Sequence, residues 1–174
     1  ELGLQGTAIP EAYGGVGAGY LPLCLVAQEL GGVLAAVPFS SSVYLATEAI
    51  LCFGSTEQKE RYLPKLASGE WVGTLAVSEG PQAPSPTNLT VTRSGNTVSG
   101  KKLVVPHGLV ADFAIVLVAS DAGTDLVLAG LEGVERSAVE IVDPTIAAAT
   151  IDFAQTHCES LGEPGDGWAM LETV

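Results

Sequence analysis

Phe53-Gly54-Ser55-Thr56-Glu57-Gln58-Lys59-Glu60-Arg61-Tyr62-Leu63-Pro64-Lys65-Leu66-Ala67-Ser68-Gly69-Glu70 is the stretch on which the reading of this chain turns. Gly54 stands where a left-handed C-terminal cap would close a helix running from about Ser41 to Phe53. Ser55 and Gln58 have the spacing of a capping box, in which hydroxyl and amide each satisfy the other's backbone N–H. A helix from about Thr56 to Ala67 follows. It carries Lys59, Arg61 and Lys65 toward its C-terminal half, where the macrodipole favours cations. Ser68-Gly69-Glu70 ends it.

Upstream, a helix is predicted from about Tyr20 to Gly31, after the loop Gly14-Gly15-Val16-Gly17-Ala18-Gly19. Gln28 and Glu29 are its main polar positions, so it should be buried on most faces. The loop is not G-x-G-x-x-G and follows no strand, so it reads as a mobile loop and not a nucleotide site. Downstream the period changes to two. Strand candidates are Trp71–Glu79, Leu89–Arg93, Thr97–Ser99, Leu103–Val105, Asp112–Ser120, Thr124–Ala129, Val139–Val142 and Thr150–Ala154. Ser94-Gly95-Asn96 turns a hairpin. Gly80-Pro81-Gln82-Ala83-Pro84-Ser85-Pro86 can be neither helix nor strand interior. Gly162–Gly167 is a second loop, and Trp168–Val174 opens another helix. Strands joined by short turns point to an antiparallel sandwich or barrel, and the fold class is α+β. The divisions are 1–70 helical, 71–160 β and 161–174 the start of a further helical part. Glu1-Leu2-Gly3-Leu4 reads as mid-domain sequence, so the chain is expected to be a fragment.

Composition excludes several classes. Of 174 residues, 47% are hydrophobic and 16% charged, which is not the make-up of a disordered chain. Seven Lys and Arg against 20 Asp and Glu leave a net charge of −13, a poor match to nucleic acid or anionic membrane. No Lys or Arg accompanies the five acidic residues before Gln58. The apolar run Leu21–Val37 is interrupted by Pro22, Gln28, Glu29 and Gly31–Gly32, so no membrane span is expected. No signal peptide is evident, and a cytoplasmic location follows, so the sequon Asn88-Leu89-Thr90 carries no meaning. High apolar content with few charges suggests surface covered by a partner. Cys24, Cys52 and Cys158 lie far apart without a C-x-x-C and read as buried reduced thiols. His157 near Cys158 and Glu159 lacks further ligands, so no metal site is assigned. His107 is expected to be an exposed loop histidine. Arg93, Lys101 and Lys102 read as a basic cluster that keeps an edge strand soluble. Glu79 and Glu163 read as solvated or capping carboxylates, and Trp71 as filler between the helical and β parts.

The opening stretch resembles the F-G-[ST]-x-E-Q-K-x-x-Y-L-P-x-L-A-x-G-E segment of acyl-CoA dehydrogenases. Ile9-Pro10-Glu11-Ala12-Tyr13-Gly14-Gly15-Val16-Gly17 is similar to their I-P-E-x-Y-G-G-x-G. Leu161-Gly162-Glu163-Pro164-Gly165-Asp166-Gly167-Trp168 is similar to the L-G-x-x-G-x-G-[FW] that leads into their C-terminal helical domain, which the resemblance places outside this sequence. It implies an FAD-dependent enzyme that desaturates an acyl-CoA thioester at the α,β position, in fatty-acid or steroid side-chain β-oxidation. A carboxylate base removes the α proton and the flavin accepts the β hydride. In most relatives that base belongs to the C-terminal domain, so no catalytic residue is assigned here.

The resemblance sets Leu75, Val77 and Ser78 against the flavin, at a strand that ends Val77-Ser78-Glu79 where the family has [MV]-[TS]-E-P. It also implies homo- or hetero-oligomers and an electron-transfer acceptor. Gly80 stands where that strand's motif has proline, and three further positions depart from the pattern. Pro84 replaces a backbone donor near the diphosphate. In Gly100-Lys101-Lys102-Leu103-Val104-Val105-Pro106-His107-Gly108, against G-x-K-x-[WFY]-I-[TS]-[NHS]-[GA], Val104 replaces an aromatic and Pro106 a hydroxyl. Two alternatives therefore stay open: a degenerate subunit that binds no FAD within a heteromeric dehydrogenase, and a non-enzymatic protein that kept the fold.

Overall fold

The computed structural model describes residues 3–174, so Glu1 and Leu2 of the mid-domain reading lie outside the described residues. The helical part comprises α1 (Tyr20–Gly32), a π-helical segment Ser40–Ala46 that runs into α2 (Thr47–Phe53), and α3 (Thr56–Ser68). The capping box forms as read. The Gln58 N–H donates to Ser55 Oγ at 3.2 Å, and the Ser55 N–H donates to Gln58 Oε1 at 3.0 Å. Gly69 closes α3 in the left-handed region (φ 76°). Gly54, expected to be left-handed, is extended instead (φ −67°, ψ 141°). It is glycine for lack of space, because a Cβ there would lie 2.6 Å from the Ile50 carbonyl oxygen.

Seven strands follow: β1 (Gly73–Ala76), β2 (Thr92–Ser94), β3 (Thr97–Val105), β4 (Phe113–Ser120), β5 (Gly123–Gly130), β6 (Glu135–Ala138) and β7 (Ala149–Leu161). The pairings β4–β2–β3–β7–β5 return to β4 and close a barrel, with β1 added on β4 and β6 on β7. The sheet is mixed, since β1 and β2 both pair with β4 in parallel. The proposed strand Val139–Val142 is irregular, and Val142 is fully exposed. The ladder on β7 is taken by β6, with Glu135 opposite Asp152 and Ala138 opposite Ala149. The loop holding Pro144 then carries the chain round to Ala149.

β4 explains how one sheet serves two cores. Its residues are buried along most of its length and alternate in direction. Phe113, Ile115 and Leu117 meet Ile50, Leu63 and Leu66 of the helical layer. Ala114, Val116 and Val118 point into the barrel with Val98, Ile151 and Phe153. β5 repeats the division, with Leu126 and Leu128 outward and Val127 and Ala129 inward. Trp71 sits between the layers, its ring 5.4 Å from Tyr62 and 6.2 Å from Phe113 between centroids.

α1 departs from expectation. Only Leu23 is buried, while Tyr20, Leu21 and Leu25 are each more than half exposed. No described element lies over its outer face. The Gly14–Gly19 turn is largely exposed but tied by backbone bonds: the N–H groups of Val16, Gly17 and Ala18 donate to the carbonyls of Gly6, Ile9 and Thr7, each at 2.9 Å. At the other end, the short helix α4 (Gly167–Leu171) is pinned to β5. The Gly165 N–H donates to Asp125 Oδ1 at 2.7 Å, and the Trp168 N–H to Thr124 Oγ1 at 3.0 Å.

The joint between π-segment and barrel is close. A Cβ on Gly73 would lie 2.5 Å from Ala46 Cβ and 2.6 Å from the Phe113 ring. Gly73→Ala is expected to cost about 1–3 kcal/mol, read as a lowered urea midpoint. Gly80→Ala, which meets nothing within 4 Å, serves as the control and leaves the midpoint in place.

Candidate functional site

β1 leaves β4 after Ala76, and β3 takes over its outgoing backbone. The Leu103 N–H donates to the Ser78 carbonyl at 2.8 Å, and Lys102 Nζ donates to the Val77 carbonyl at 3.0 Å. Lys102 Nζ also meets Glu79 Oε1 at 2.6 Å, with the lysine side chain fully buried and that of Glu79 11% exposed. The same carboxylate accepts from the Thr90 N–H (2.5 Å), Thr90 Oγ1 (2.7 Å) and the Val91 N–H (3.3 Å). Burial works against the ionised Glu79. The bonds from Lys102 and Thr90 together outweigh it, and the carboxyl is held below its usual range. Burial pushes the Lys102 ammonium down, and Glu79 opposes that shift.

Glu79 is therefore no solvated carboxylate, and the three cations form no cluster. β3 is internal, between β2 and β7, so its pleat sends consecutive lysines opposite ways. Lys101 pairs outward with Asp152 at 2.8 Å, and Lys102 turns inward. Arg93 pairs with the buried Asp125 at 3.1 Å.

The three residues named for cofactor binding are contiguous at this exit. Leu75 and Val77 are half-buried against the helix-facing core, and Ser78 is half-buried beside them. Of the three further departures, Val104 has a left-handed backbone (φ 52°), bulges from the β3–β7 ladder and is 47% exposed. The Pro106 carbonyl accepts from Thr74 Oγ1 at 2.6 Å. Pro84 lies in a loop closed by Asn88, whose Oδ1 accepts from the Ser85 N–H at 2.8 Å.

His107, expected in water, is buried, at φ 54°. Its Nδ1 lies 2.9 Å from Ser41 Oγ on the π-helical segment. The Ser41 hydroxyl also lies 3.3 Å from the Pro38 carbonyl oxygen, to which it can donate. Burial pushes the imidazole pKa down, against a smaller upward pull from Asp143. The neighbouring Ser42 accepts from the Gly73 N–H at 3.1 Å. Sequence reading missed Ser41, Ser42 and Thr74. The available signal was two serines starting an otherwise apolar helix.

A flavin ring set at the exit of β1 would meet the half-buried Leu75, Val77 and Ser78 and the exposed Val104. The adjoining cleft fits a diphosphate poorly. It encloses about 330 Å³ between Glu79, Gly80, Pro81, Pro84 and Thr90, among others, and no Lys or Arg lines it. Pro84 has no N–H and that of Ser85 is already spent. Among the described residues no group of three or more His, Cys, Asp and Glu is placed to hold a metal ion, and His157 is exposed on β7 opposite Thr97. Cys24 and Cys52 are exposed, contrary to the buried thiols expected, and Cys158 alone is buried.

Residues 1–70 match the family described as "Acyl-CoA dehydrogenase, N-terminal domain". Over 129 residues the chain is 37% identical to an acyl-CoA dehydrogenase of Bacillus subtilis (strain 168), a match covering 70% of this chain and 34% of that protein. The chain thus spans about a third of that curated relative. Among solved structures it is similar to the "Tcur3481-Tcur3483 steroid ACAD G363A variant", with TM-score 0.83 and 29% identity over 98% of this chain and 47% of that one. It is also similar to the "ChsE4-ChsE5 complex from Mycobacterium tuberculosis", with TM-score 0.81 and 27% identity over 97% of this chain and 47% of that one.

Lys102→Met strands a buried carboxylate and is expected to cost about 3–5 kcal/mol in urea unfolding. Adding Glu79→Gln to that variant costs less than the sum of the two single changes. His107 titrates near 6.5 when unfolded and lower when folded, so below that pH the unfolded state binds the extra proton. Its contribution is full above pH 6.5 and is lost as pH falls through the folded value. Urea midpoints should drop over that window, and His107→Asn should flatten the drop.

Proposed function

We propose a function from one premise: the chain belongs to the acyl-CoA dehydrogenase family. On that premise it supplies the helical and flavin-facing parts of an FAD-dependent enzyme that introduces an α,β double bond into an acyl-CoA thioester. The observation that carries this reading is the exit of β1, where Val77, Ser78 and Glu79 are tethered from behind by Lys102 and Leu103. Bound there, FAD would supply the hydride acceptor for the β carbon. Leu75 and Val77 form a dry floor beneath the ring, and the Ser78 hydroxyl orients its polar edge. A ring fixed in that way costs no reorganisation when the thioester reacts. Glu79 does not serve as the base. Its carboxylate is committed to Lys102, Thr90 and Val91 and held below the usual range. The α proton falls to a group outside these residues.

In this reading the chain divides into residues 1–70, 71–160 and 161–174, and the protein is cytoplasmic, oligomeric and passes its electrons to an electron-transfer acceptor. No helix among the described residues is long and apolar enough to cross a membrane.

A second reading is favoured by the cleft without Lys or Arg, by Pro84 and by the spent Ser85 N–H. In it the chain is the subunit of a heteromeric dehydrogenase that leaves the flavin diphosphate to a partner. Two of the solved structures it resembles carry two protein names each. The near-ultraviolet and visible absorbance of the natural full-length protein, purified alone, separates the readings. Flavin bands that survive desalting support the first. A colourless protein that takes up FAD only beside a partner subunit supports the second.

A further inference from the structure

Non-glycine residues with a left-handed backbone are rare, and a β-branched one is an outlier that stands only where its surroundings hold it. Two such residues, Val104 (φ 52°) and His107 (φ 54°), bracket Val105 and Pro106 at the end of β3. Strain at both ends of four residues needs anchors at both ends. Before the turn, Lys102 is buried against Glu79. After it, the Pro106 carbonyl is held by Thr74 Oγ1 at 2.6 Å, and His107 by Ser41 at 2.9 Å. The last of these is the bond that reaches out of the barrel into the helical layer. It lands on a π-helical segment, a distortion that collects at functional sites. Val105 faces the barrel interior, so Val104 is the residue the turn presents outward.

We propose that His107, clamped by Ser41, is a positioning residue for cofactor binding: it fixes the strained 104–107 turn so that Val104 and the Pro106 edge face the flavin ring. This rests on the flavin reading above. The clamp touches no reacting atom. It acts through the turn, and it makes the flavin-facing surface sensitive to where the π-segment sits.

Three variants separate the demands at this position. His107→Gly accepts φ 54° without strain and loses the bond to Ser41. His107→Asn tolerates the left-handed region and keeps a side-chain hydrogen-bonding group at the Nδ1 position. Ser41→Ala removes only the partner. In the natural full-length protein, FAD affinity is measured by fluorescence titration. The visible bands and circular dichroism of the bound flavin are recorded with it, and urea midpoints are taken without flavin. His107→Gly and Ser41→Ala should each weaken FAD binding on the order of tenfold and shift the flavin bands, while His107→Asn stays near wild type. Should His107→Gly fail to fold, Ser41→Ala carries the test alone. Unchanged affinity and bands in Ser41→Ala, in a protein that binds FAD, overturn the clamp and leave the flavin reading standing. A wild-type protein that takes up no flavin overturns both.

Discussion

The contact between Lys102 and Glu79 organises the barrel end from which the proposed site is built. A fully buried ammonium cannot persist without an anion, and a buried carboxylate needs its remaining lone pairs filled. Both conditions are met at once. Lys102 spends protons on Glu79 and on the Val77 carbonyl, while Glu79 gathers Thr90 and Val91. Three segments are thereby joined: the exit of β1, the irregular residues Thr90 and Val91 just before β2, and β3. A pair of this kind adds less net stability than its distance suggests. Its larger effect is to exclude other registers, because a shift of one residue along β3 would put Lys101 in the core and Lys102 in water.

Around that pin the fold divides its apolar residues by parity. β4 and β5 send alternate side chains to the helical layer and to the barrel, so both cores share the same backbone ladders. The helical layer is fastened to the barrel by several kinds of contact. Gly73 permits a backbone approach, Ser42 bonds the Gly73 N–H, and Ser41 bonds His107. Farther along, Glu159 of β7 pairs with Arg61 and accepts from Tyr62 Oη at 2.8 Å. Asp125, paired with Arg93, fixes the start of α4 through Gly165. Each of these charges has a partner within the protein, and the Lys102–Glu79 and Arg93–Asp125 pairs are largely buried, so a net charge of −13 coexists with buried ion pairs.

Much of this was legible because it is local. The capping box at Ser55 and Gln58, the hairpin around Gly95-Asn96 and the β-rich composition of Phe113–Ser120 each depend on residues a few positions apart. What failed depended on distant neighbours. Gly54 was read as a left-handed cap from its place after a helix, yet the Ile50 carbonyl is what demands glycine. Val139–Val142 has strand composition, but β7 already had β6 beside it. α1 has the composition of a buried helix, and burial requires a neighbour that the described residues do not contain.

The candidate site shows the same boundary. Sequence alone aligned Val77 and Ser78 with one family motif and showed Val104 and Pro106 as departures within a second, because short-range order and residue type suffice to align a motif. It also determined the α+β order of elements, since a hydrophobic period of 3.6 gives way to one of 2 after Trp71. Only the tertiary structure decided that Lys102 faces inward onto Glu79 and that His107 is buried beneath a serine 66 positions earlier. The reason is physical. Whether a Lys, Glu or His is solvated or paired depends on which strands and helices enclose it, and an enclosure made by distant segments leaves no mark on the residues nearby in sequence.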